Sequence, residues 1–174
     1  DQPGQSRPDS LDTAVERVTT ERATQNTNKY YAKPNADASN PGTSWDDATT
    51  LRSALDNAAD GDSVLVMNGE YETNGAAFQT DGEHVLGGIQ DEDNRRINDA
   101  FTADGQPTTL RGDGSNHVLH MDGGSITNVE ITGGDADGTG SNALGGGILI
   151  TGGDNDIHRS MIHDNQATTG AAVY

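Results

Sequence analysis

Short β-branched runs bounded by Gly, Asp and Asn clusters, an imperfect repeat, and a very small apolar content together predict an all-β fold. The form they predict is a parallel β-helix, a solenoid of stacked strands with a capping helix at its N-terminal end. The apolar content is the first of these observations. Of 174 residues, 27 are Val, Ile, Leu or Phe, against 28 acidic and 10 basic residues and a formal net charge of -18. That balance usually marks a disordered chain. Here the apolar residues are concentrated after about residue 62, in Val64–Met67, Val85–Ile89, Thr109–Leu110, Val118–Met121, Ile126–Ile131, Gly147–Ile150, Ile157–Ile162 and Ala172–Tyr174. Each run has strand length and turn residues at its ends. A solenoid needs only a few inward side chains per coil, so a thin core is enough.

The repeat supplies the coil length. Residues Ile126–Gly134 align with Ile157–Asn165 at an offset of 31, and Gly145–Leu149 with Gly170–Tyr174 at an offset of 25. Periods of 20–50 residues indicate a solenoid. Unequal offsets indicate coils of about 25 residues carrying loops of different lengths.

Taken in chain order, residues 1–28 read as a flexible tail or linker, within which Leu11, Val15 and Val18 allow a short helix over 9–24. Lys29–Ala32 reads as a short strand, and Pro34–Gly42 as turns. A helix is expected over about 44–59. Thr43 or Ser44 would cap it, Asp46 and Asp47 would sit in its first turn, and Gly61 would end it. Leu51, Ala54, Leu55 and Ala58 give it one apolar stripe, suited to covering the open end of the first coil. Residues 29–174 then form the cap and first coils. A chain that starts at Asp1 and stops in an apolar stretch at Tyr174 leads to the expectation of an N-terminal portion, truncated at its C-terminus.

Charge narrows the partners. A strongly acidic chain repels phosphates and anionic lipid, which argues against nucleic acid. The acid is mostly Asp, 21 of 28, and only 2 of the 10 basic residues are Lys. That bias suits a protein working in high salt, and equally suits Asp as a turn residue. Without cysteine there are no disulfides and no thiol chemistry. No apolar run reaches membrane-spanning length, so no direct membrane insertion is expected of this segment.

The run Tyr30–Trp45, followed by Leu51–Leu55, Ala59–Val66 and Gly69–Tyr71, resembles the opening of right-handed parallel β-helix proteins of the pectin-lyase-like superfamily. Gly87–Ile89, Leu110–Asp113 and Ile131–Gly134 fit the same pattern. Gly145–Ile148 followed by Ile162–Asn165 is similar to the repeats of polymorphic outer-membrane proteins. The resemblance implies a right-handed β-helix in an extracellular or cell-surface protein. It implies polysaccharide or cell-surface glycan as partner, bound or processed by lyase-like or hydrolase-like chemistry. In the superfamily's enzymes the catalytic groups lie on the outer face of the coils. The alternative it implies is a non-catalytic adhesin or structural stalk.

No residue set declares itself as catalytic. For Ca²⁺, Asp135 and Asp137 are candidates because alternate carboxylates around a Gly turn present hard oxygens to one side. Asp154 and Asp156 are candidates because alternation on an extended segment puts both on one face. Both pairs also serve as turn and surface residues. Asp164, beside His163, could join acid–base work, and Arg159 is the nearest basic residue for a lyase. His117 and His120, three apart on a strand, would face opposite sides, as would His158 and His163. Arg111–Asp113 spells an attachment tripeptide but reads as corner chemistry. Arg95 and Arg96 read as surface ion-pair partners. Trp45, Tyr30, Tyr31 and Tyr71 read as packing residues rather than a sugar platform.

Overall fold

The computed structural model describes residues 27–90, 107–138 and 140–174. The expected tail helix over 9–24 and the Arg95–Arg96 pair lie outside the described residues. The rest is mostly β, with one short α-helix and parallel strand pairing throughout. No helix among the described residues is long and apolar enough to cross a membrane.

The strands are β1 (Lys29–Ala32), β2 (Ser63–Met67), β3 (Gly69–Glu72), β4 (Phe78–Thr80), β5 (His84–Ile89) and β6 (Thr108–Arg111). They continue as β7 (Leu119–Thr127), β8 (Val129–Thr132), β9 (Asp135–Ala136), β10 (Ile148–His158), β11 (Met161–Ile162) and β12 (Gln166–Ala167). The first sheet runs β1-β2-β5-β7-β10, with β4 also paired to β7. The second runs β3-β6-β8-β11, and β9 pairs with β12 in a third. From β7 onward the chain visits the three sheets in the order first, second, third, and then repeats that order.

The register reproduces the repeat seen in the sequence. Ile157 lies against Ile126, Ile162 against Ile131, and Ala167 against Ala136, each at the offset of 31. Ile148 bridges to Val173 at the offset of 25. Within the β7–β10 pair the register shifts twice between Ile150 and Asn155. These irregularities face Gly123 and Gly124, whose φ angles of 97° and 89° favour glycine.

Parallel register stacks like on like. Tyr71, Leu110, Ile131 and Ile162 form one inward row, and Val64, Val85, Ile126 and Ile157 another. Phe78, Leu119 and Ile148 form a third. All of these belong to or pack on one continuous core. Full burial of each large apolar side chain is worth about 1.5–3 kcal/mol, which is how so few residues suffice. A second cluster, Trp45, Ala48, Leu65 and Ile89, lies apart from it, with Tyr31 and Met67 packed alongside.

The helix, α1 (Leu51–Asn57), starts later and ends sooner than expected. Thr50 is the N-cap, accepting from the Ser53 amide, and Ala58 follows the last turn in an extended conformation. Asp46 and Asp47 stand before the helix. Asp47 instead accepts from the Ser44 amide at 2.7 Å and the Thr43 hydroxyl at 3.1 Å. Such local side-chain bonds compete with helix, which explains the late start. Gly61 belongs to the turn before β2, with φ 83°. The apolar stripe holds: Leu51, Ala54 and Leu55 are buried in the main core.

Candidate functional site

The outward face of the second sheet gathers a connected set of polar side chains. Alternation creates it. In β3, β6 and β8 the residues Tyr71, Leu110, Val129 and Ile131 turn inward, so Glu70, Thr109, Arg111 and Glu130 turn outward. Register aligns Glu70 with Thr109, and Thr109 with Glu130. Successive strands lie about 4.8 Å apart, so these side chains reach one another.

They bond as a ladder. The Arg111 guanidinium donates to Glu70 at 2.9 Å. The Thr109 hydroxyl donates to Glu130 Oε2 at 2.6 Å. His163 Nε2 lies 2.8 Å from Glu130 Oε1, and its Nδ1 lies 2.9 Å from Asp164 Oδ2. His163 is set in place from behind. Its amide donates to the Ile131 carbonyl, and Asn165 Nδ2 donates to the carbonyls of both Ile131 and His163. Asp164 reaches back to the imidazole from a left-handed backbone, φ 51°.

Electrostatics follow from these contacts. Burial pushes Glu130 upward, but the Thr109 hydroxyl and His163 outweigh it and hold Glu130 below its ordinary value of 4.5. Glu130 and then Asp164 raise His163 above its ordinary 6.5. The sign of each contribution to stability is therefore set. That of protonated His163 is complete below about pH 6.5 and is lost as the pH rises through the raised value. That of ionised Glu130 is complete above about pH 4.5 and is lost as the pH falls through the lowered value. Both are present in the weakly acidic range between. His163 is 36% exposed, so screening keeps the pair modest. The melting temperature of the parent minus that of His163→Gln is expected to peak near pH 5–6, at roughly 1–3 °C, and to shrink by pH 9. A difference independent of pH would show that the ion pair contributes nothing.

Glu70 also lines a concavity of about 650 Å³ beside this face, with Lys33, Asn35, Arg52, Glu72 and Asn74 among its walls. Arg52 is committed there to structure, donating to the carbonyls of Thr73, Ala76 and Ala77. Its wall thus carries carboxylates, two side-chain amides and an ammonium group.

The candidates taken from the sequence are placed as follows. Asp135 is half-buried in β9, with Oδ1 enclosed and without a hydrogen-bond partner, while Asp137 is exposed. Asp154 and Asp156 are both exposed on β10 with Asn155 turned inward between them, the arrangement that alternation requires. Asp154 borders a groove with Asp60, Asp81 and Asp122. No group of three His, Asp or Glu side chains that could hold a metal occurs among the described residues. Arg159 is an exposed corner residue with φ 46°. Arg111–Asp113 is corner chemistry: Arg111 bonds Glu70, and Asp113 accepts from the Gly75 and Ser115 amides. The aromatics pack. Trp45 meets Tyr31 edge-on at 4.8 Å, and the buried Tyr71 hydroxyl donates to the Met67 carbonyl at 2.8 Å.

His117 differs from expectation. It precedes β7 rather than lying on it, so strand alternation does not separate it from His120, and the two rings meet at 5.8 Å. Glu130 is the residue that sequence reasoning missed. The offset of 31 contains it, because Ile162 opposite Ile131 puts His163 on the same outward face, one strand away.

No family model, curated protein or solved structure matches the chain.

Proposed function

We propose that the chain builds the capped first coils of a right-handed parallel β-helix, of the pectin-lyase-like kind. We also propose that the outward face of its second sheet binds polysaccharide outside the cell or at its surface. The offset-31 register and the repeated visits to three sheets support the solenoid. The observation that carries the function is the polar ladder, Glu70–Arg111 and Thr109–Glu130–His163–Asp164, whose Glu70 end lines the concavity of about 650 Å³. It runs across the strands, along the stacking direction, as an elongated glycan would. The face exposes carboxylates, a guanidinium and an imidazole, groups that bond sugar hydroxyls. Its acidic balance favours neutral or basic glycans over acidic ones.

One observation favours the second reading, a non-catalytic stalk or adhesin. Every ladder group except Asp164 already has a partner on the next strand, so the ladder also serves to join strands. Glycan-array binding, with reducing-sugar and unsaturated-product assays in the presence and absence of Ca²⁺, separates the two. Binding to a neutral glycan is expected, weakened about tenfold or more by Glu130→Gln and by Arg111→Ala. Absence of binding and turnover under both conditions would leave the stalk.

A further inference from the structure

We propose that His117 and His120 together bind a divalent transition-metal ion. His117 is 7% exposed, and its Nδ1 is fully enclosed with no hydrogen-bond partner. An unsatisfied buried imidazole nitrogen is costly, and a metal ion removes that cost by taking the lone pair. His120 lies beside it, rings 5.8 Å apart and 79° from parallel. Two imidazoles on one tetrahedral ion put their ring centres roughly 5 Å apart, close to the separation seen here.

The surroundings suit such an ion. His120 Nε2 lies 2.7 Å from the Thr151 hydroxyl on the neighbouring strand β10. With Nε2 donating there, the tautomer leaves the Nδ1 lone pair of His120 free, the way an outer partner orients a metal-binding histidine. Burial and then the neighbouring His120 hold the His117 pKa below its ordinary value. The donors are two imidazoles with no carboxylate cluster, which selects Zn²⁺, Ni²⁺ or Cu²⁺ over Ca²⁺ or Mg²⁺. With only two protein ligands the site is weaker than a closed structural zinc site, and the strongly acidic chain raises the local cation concentration.

Calorimetric titration of Zn²⁺ into the 174-residue chain at pH 7.5 tests this. One site is expected, with a Kd in the micromolar range and at least tenfold weaker binding in His120→Asn and His117→Asn. His163→Gln and His158→Gln should leave it unchanged. Imidazole ¹⁵N chemical shifts of the parent protein give a readout that needs no variant. Zn²⁺ should move those of His117 and His120 and leave those of His84, His158 and His163 in place. Absence of binding, a site that survives His120→Asn, or shifts confined to the other histidines would overturn the proposal.

Discussion

Gly134→Ala is expected to remove about 3 kcal/mol or more of folding stability. A Cβ at Gly134 would stand 1.8 Å from the Gly146 carbonyl oxygen, the shortest approach at any described glycine. The obstacle is backbone, and both segments are pinned. Gly134 accepts from the Gln166 amide and donates to Asn165 Oδ1 at 2.8 Å. Gly146 donates to the Gly170 carbonyl. Relief therefore requires two paired segments to separate. Gly75→Ala is the control. Its φ is 88°, but nothing lies within 4 Å of a new Cβ, so only the left-handed penalty of about 1–2 kcal/mol applies. Urea unfolding of both variants measures the difference. Equal losses would show that the Gly134–Gly146 approach relaxes freely.

Ile131→Ala is expected to cost about 2–5 kcal/mol. Ile131 is fully buried in the inward row between Leu110 and Ile162. In a core this thin, few neighbours are free to collapse into the space, which favours the upper half of that range. Met161, one strand residue from Ile162, turns outward and is 41% exposed. Met161→Ala should therefore stay within about 0.5 kcal/mol of the parent. A small loss at Ile131 would mean that the row is loosely packed.

These two contrasts mark what was legible beforehand. Inward positions such as Val64, Val85, Ile126 and Ile131 were readable as apolar runs, and the offset of 31 places Ile157 and Ile162 on their partners. The short strands β3, β4, β9 and β12 were not readable. Gly69–Glu72 and Gln166–Ala167 are held by register to neighbours, with little β propensity of their own. The helix start was misplaced because Thr43, Ser44 and Asp47 satisfy one another locally. At the candidate site His163 and Asp164 were noticed together, but Glu130 is 33 residues away and joins them only through the register. The meeting of His117 and His120 was hidden for another reason. Period-two reasoning assumes an unbroken strand, and β7 begins after His117.

The all-parallel pairing also bears on how the molecule assembles. Ser63 waits for His84, and His84 for Ser125, so among the described residues no strand meets its partner through a tight hairpin. Each contact closes a long loop before any pairing energy is returned, which places folding in the slow, millisecond-to-second class. Emergence from the ribosome offsets this handicap. The N-terminal strands and α1 appear first, and each later segment then meets an edge already formed, so growth is vectorial and templated.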